Sequence, residues 1–187
     1  MTLMSRKDTK QEIENLRRSA KDTLLVMIYK ESQIGRSISS YLGKSMTKEK
    51  SEKFKNLLIE EARNLRTMVD NKTITNQIIR SSILELSKNS SLPIGHAQKV
   101  LNVFLKYYCL MTGSPLEVIS ELDCPLDRIT MEHKEKIKNI DTMEKYTNWQ
   151  DRFDELGIRL LNDLKYDEQR LRGFINHKND KNNSFFD

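Results

Sequence analysis

A chain of 187 residues is long enough to bury about two thirds of the surface that its unfolded form exposes, so it can fold as one domain without disulfide or metal staples. Its 32 basic and 27 acidic residues leave a formal charge of +5, a mild excess that suits a polyanionic partner without requiring one. The two cysteines, Cys109 and Cys124, read as reduced thiols, because neither has a second Cys or a His at a zinc-binding interval.

The N-terminus is polar and no window approaches eighteen consecutive apolar residues, which predicts neither signal peptide nor membrane span and hence a cytoplasmic protein without a membrane partner. Few glycines and prolines interrupt the chain, and apolar residues recur at helical rather than strand spacing, so the expected fold is all-α. A first helix is predicted over 8–33, with Ile13, Leu16, Ala20, Leu24 and Met27 or Ile28 as its apolar stripe. After a Ser-rich connection, Thr47 is placed to cap a second helix whose stripe is Phe54, Leu57, Leu58, Ala62, Leu65 and Val69. A third, over 74–88, would bury Ile74, Ile78, Ile79, Ile83 and Leu86. The next, over 96–111, is apolar around most of its circumference and suits the centre of a bundle.

Ser114-Pro115-Leu116-Glu117 has the pattern of a capping box for a short helix. Asp127 is placed to cap a further helix over 128–138, and Asp141-Thr142-Met143-Glu144 repeats the box ahead of a long helix reaching Leu164. A last helix is expected over 166–177. The architecture is therefore a compact bundle of six to eight helices around a central buried helix near 96–111. It forms one helical domain over 1–177, of which helix 8–33 is either an integral part or an appendage, with a disordered polar tail over 178–187.

The turn that opens the central helix holds the chemistry. Leu92 to Lys99 reads as a tight turn feeding a helix N-terminus, whose outward N–H groups, with Lys99 in the first turn, would make a local anion site. The run L-P-I-G-H-A-Q-K-V-L-N-V-F-L at 92–105 resembles the helix-hairpin-helix segment of base-excision DNA glycosylases, usually L-P-G-V-G-R-K-T-A-N-V-V-L. Gly95 matches the first hairpin glycine, Ala97 stands where the second would be, Lys99 falls on the lysine of the bifunctional members and Asn102 on the asparagine beyond it. Pro125-Leu126-Asp127 is similar to the element that carries the family's aspartate. The resemblance spans residues 91–130.

It implies a DNA glycosylase and AP lyase in which Lys99 attacks C1′ to form a Schiff base, while Asp127 stabilises the developing charge or activates the nucleophile. Gly95, His96, Ala97 and Gln98 would contact nucleic acid, Lys106 and Arg128 would add phosphate contacts, and the target base would be flipped out. The partner would be nucleic acid, DNA before RNA, with no cofactor and no metal; the oligomeric state is left open. The pattern G-x-A-Q-K-x-x-N-x-x-L-K-Y followed by C-P-x-D is also similar to a group of uncharacterised bacterial and phage helical proteins. The alternative function is thus a non-enzymatic interaction or regulatory protein of phage or host-defence type.

Other patterns have two readings each. Arg128 to His133 and Arg172 to His177 share the R-x4-H form of helical HEPN ribonucleases, a spacing that also arises readily in an arginine-rich chain. His96 is either a general base beside Lys99 or a polar residue at a helix start. Tyr107, Tyr108 and Trp149 either stack on bases or fill the core.

Overall fold

The computed structural model describes residues 15, 16, 20, 23, 48–127, 130–132, 134, 136–154 and 158–163, and among these the fold is all-α with no strand. Its elements are α1 (Lys48–Asp70), α2 (Asn76–Ser90), α3 (Ile94–Thr112), the single turn α4 (Leu116–Ile119), a 3-10 turn at Ile137–Asn139, and α5 (Met143–Asp154). No described helix is long and apolar enough to cross a membrane.

Helices α1 and α2 bury the faces that their periodicity sets out. Phe54, Leu58, Ala62, Leu65 and Val69 point into the core from α1, and Ile79, Ile83 and Leu86 from α2, while Leu57 and Ile78 are half-buried at the margins. Thr75 caps α2, its hydroxyl accepting the Ile78 N–H at 3.3 Å. The helix ends at Ser91, in the left-handed region at φ 57°, with its N–H returned to the Ser87 carbonyl. Both helices pack on α3, the central helix. Val100, Leu101, Val103, Phe104, Leu105, Tyr108 and Cys109 are all buried, so α3 meets neighbours around most of its girth.

Several local expectations are corrected. Leu16 is 65% exposed and Ala20 is exposed, so those two positions of the first stripe face solvent; periodicity says which residues share a face, not what that face meets. The central helix starts at Ile94 rather than 96, which makes Gly95 a helical residue. The positive-φ glycine among the described residues is Gly113, at the C-cap of α3. The Ser114 box does not form: Pro115 takes the N-cap position of α4, which has no side-chain cap. The predicted helix over 128–138 is, where described, a turn at 130–132 and the 3-10 turn, with Glu132 in the left-handed region at φ 51°. Thr142, one residue later than expected, caps α5 by accepting the Lys145 N–H at 3.2 Å. The long helix that begins there has its described part end at Asp154, with a separate helical turn at 160–163. Thr47, Arg128, His133, the helix at 166–177 with Arg172 and His177, and the tail at 178–187 lie outside the described residues.

Candidate functional site

The most unusual element for a helical protein is the connector Leu122–Asp127, which has no regular structure although Leu122 through Leu126 are buried. Pro125 explains the absence of helix, since it lacks an N–H and turns the residue before it away from helical dihedrals. A buried backbone without a ladder must find its hydrogen bonds elsewhere, and here side chains from the flanking helices supply them. Gln150 of α5 accepts the Cys124 N–H at 2.9 Å and donates to the Cys124 carbonyl at 2.8 Å. Gln98 of α3 does the same for Leu126, accepting its N–H at 3.1 Å and donating to its carbonyl at 2.8 Å. Each carboxamide thus acts as one rung of a missing sheet.

Asp123, with no exposed side-chain surface, gathers two guanidinium groups and a phenol hydroxyl. Arg80 of α2 donates through Nε at 3.1 Å and through its terminal nitrogen at 3.3 Å, and Arg159 brings its Nε to 2.9 Å. The Tyr146 hydroxyl donates to the same carboxylate at 2.8 Å and in turn accepts from Asn102 Nδ2 at 2.8 Å, which also donates to Gln98 Oε1 at 3.2 Å. Burial first, and the Asp123 charge second, push the Tyr146 phenol far above its usual range, so it stays a donor. Glu121 extends the connector's reach by accepting the Asn76 N–H at the start of α2, at 2.9 Å. The result is one continuous polar seam through an apolar bundle.

Lys99 and Asp127, the expected catalytic pair, are brought together at the outer end of this seam. Lys99 Nζ lies 3.5 Å from Asp127 Oδ2, with the side chains 23% and 25% exposed. The other carboxylate oxygen, Oδ1, accepts the Thr130 N–H at 2.9 Å, and the Thr130 hydroxyl accepts the Asp127 N–H at 2.8 Å. This reciprocal pairing caps the turn at 130–132. Asp127 therefore caps a turn and faces a lysine at the same time.

The expected nucleic-acid contacts are placed differently. Gly95, His96, Ala97, Gln98 and Lys106 are all buried. The Gly95 N–H donates to the Ile140 carbonyl at 2.7 Å, and the His96 and Ala97 N–H groups donate to the Pro93 carbonyl. These three amides therefore have backbone acceptors within the chain. Lys106 is paired with Asp163 at 2.5 Å and lies 4.6 Å from the Tyr107 ring centroid, so its ammonium is directed inward as well. His96, only 5% exposed, has its pKa lowered by burial and then by the Lys99 charge, which keeps the ring neutral near pH 7.

The aromatic residues follow their core reading: Tyr108 is buried and donates to Asp70 at 2.7 Å, while Tyr107 and Trp149 pack half-buried against the core. Cys109 and Cys124 are free and buried. Burial raises both thiol pKa values, which makes them poor nucleophiles in the closed fold. Among the described residues no group of His, Cys, Asp and Glu is arranged to hold a metal ion. An open crevice of about 470 Å³, lined by Val69, Asp70, Lys72 and Thr112 to Pro115, lies at the opposite end of α3 from Lys99.

No sequence pattern assigns a site role to the residues that hold the seam, Arg80, Asp123, Tyr146, Gln150 and Arg159. One signal was available. Gln98, Asn102 and Lys106 recur every four residues on an otherwise apolar helix, which marks a polar stripe that burial obliges to find polar partners. No family model, curated protein or solved structure matches this chain.

Proposed function

We propose that this chain is a non-enzymatic helical interaction or regulatory protein, in which the polar residues between Gly95 and Asp127 hold the fold. The observation that carries this reading is the use of the Gln98 carboxamide. Both of its ends bond the Leu126 backbone, so a residue placed by resemblance among nucleic-acid contacts is committed to the interior. Lys106, turned inward onto Asp163, supports the same reading.

The Lys99–Asp127 pair sustains a second reading. An amine 3.5 Å from a carboxylate, both reached by solvent, has the groups that Schiff-base chemistry at an aldehydic sugar carbon requires. Borohydride trapping on DNA bearing an abasic site separates the two. The interaction reading expects no covalent adduct. An adduct that forms with the wild type and disappears in Lys99→Ala would replace it with the lyase reading.

A further inference from the structure

Helix α3 is buried from Ile94 to Cys109 except at Lys99 and Tyr107, which are half-buried, but its last turn leaves the core while still carrying apolar residues. Leu110 is 40% and Met111 64% exposed, and Leu116, the first residue of α4, is 65% exposed. Between them Thr112 to Pro115 line the open crevice, together with Ala20 and with Val69, Asp70 and Lys72 at the end of α1 and the turn after it. Three of the five large hydrophobic side chains exposed among the described residues thus flank one crevice. A fourth, Leu16, precedes Ala20 by four residues, an interval that places helical residues on one face. Exposed apolar side chains gathered in this way mark a surface that another macromolecule covers. At Gly113 a Cβ would meet nothing within 4 Å, so the partner surface has room to approach the backbone.

Two opposite charges in this apolar setting say what the partner is. Asp70 is exposed, and its Oδ1 accepts the Tyr108 hydroxyl at 2.7 Å, which fixes the carboxylate in place. Lys72 is held in the left-handed region at φ 57°, its N–H bonded to the Val69 carbonyl at 3.0 Å, and its exposed side chain makes no salt bridge among the described residues. An acidic partner would meet Asp70 and a basic one would meet Lys72, so neither suits the corner. A surface with both signs two residues apart is complementary to itself. When two copies face each other across a twofold axis, each ammonium can meet the carboxylate of the other, and a carboxylate that already accepts one hydroxyl still has lone pairs for it.

We propose that the corner formed by the end of α1, the end of α3 and the start of α4 is the interface of a twofold-symmetric homodimer. In it Leu110, Met111 and Leu116 of the two copies pack together, and Lys72 of each copy pairs with Asp70 of the other. The inference does not depend on whether the protein acts through a partner or on a sugar.

Sedimentation analysis of the full-length protein from about 0.1 to about 200 µM tests it. The wild type should be dimeric at the upper end of that range. Lys72→Glu sets carboxylates against carboxylates and should raise the dimer Kd at least about tenfold, as should Met111→Glu, which places a charge in the apolar contact. Lys88→Glu makes the same change of charge in the last turn of α2, beside the start of α3 and so at the far end from the crevice, and should leave Kd within about twofold. All three positions are exposed, and far-UV circular dichroism verifies that each variant is folded; should Met111→Glu unfold, Leu116→Glu takes its place. A wild type that stays monomeric at the highest concentration would overturn the proposal. So would a dimer that either Lys72→Glu or Met111→Glu leaves within about twofold of wild type, or one that Lys88→Glu weakens as much as Lys72→Glu does.

Discussion

Replacement of Gln98 by leucine isolates what the buried connector requires. The two side chains are similar in size, so Gln98→Leu opens little cavity and the effect falls on hydrogen bonding. Gln98 is fully buried and serves both the N–H and the carbonyl of Leu126 at 3.1 and 2.8 Å. Its removal orphans both groups inside the bundle, while Asn102 keeps Tyr146 as an acceptor. Each orphaned buried polar group costs about 1–3 kcal/mol, so the expected loss is about 2–6 kcal/mol. For a chain of this size a loss of 3 kcal/mol lowers Tm by roughly 6–12 °C. Urea unfolding can be followed through Trp149, the single tryptophan, which neighbours Gln150 on α5. Gln77→Leu, at an exposed position of α2, is the control and should stay within about 0.5 kcal/mol of wild type. A Gln98→Leu protein that melts within about 1 °C of wild type would refute the claim that carboxamides hold this connector.

Three other outcomes follow from the same geometry. Asp127→Asn keeps an acceptor for the Thr130 N–H and loses only a partly exposed ion pair, a cost below about 1 kcal/mol. Asp127→Ala loses the cap as well and should cost about 1–2 kcal/mol, so equal melting of the two variants would remove the capping role. Asp123→Ala leaves two guanidinium groups facing one another and should cost about 3–5 kcal/mol in urea titrations. Arg80→Met should cost clearly less, since Arg80 is 21% exposed and Arg159 stays on the carboxylate; a larger loss than for Asp123→Ala would contradict the assignment of Asp123 as the hub. Because the folded pKa of His96 lies below its ordinary value of 6.5, the unfolded chain binds the proton first as the medium is acidified. Stability is therefore complete above pH 6.5 and falls as pH drops through the window between the two values, by at most about 1.4 kcal/mol per pH unit. His96→Gln should flatten that part of the profile relative to wild type, and identical profiles between pH 5 and 8 would remove His96 as the source.

Helical faces are legible in the sequence because the 3.6-residue period is a property of the backbone itself. Phe54 to Val69, Ile79 to Leu86 and the broad apolar girth of α3 follow from it directly. Local chain chemistry is less reliable where two signals compete. Ser114 and Glu117 fit a capping box, yet Pro115 occupies the cap. Asp127 reads as the cap of a helix, and it does accept the N–H three residues on, but the chain turns away after one turn. One error concerns where a helix starts and the other how far it continues, choices that a few tertiary contacts can move.

What the sequence alone determined is the class of fold, the central place of α3 and the identity of most of its buried apolar residues. The tertiary structure decided which polar residues meet. Asp123 gathers Arg80 from 43 positions earlier and Tyr146 from 23 later, separations that no local pattern encodes. Lys99 and Asp127 also come together only because the connector folds back along α3. The physical reason lies in the difference between the two forces. Burial of apolar surface is non-directional and leaves a periodic trace in the sequence, whereas a buried hydrogen bond needs one particular partner at about 3 Å, and that partner is chosen by the path of the whole chain.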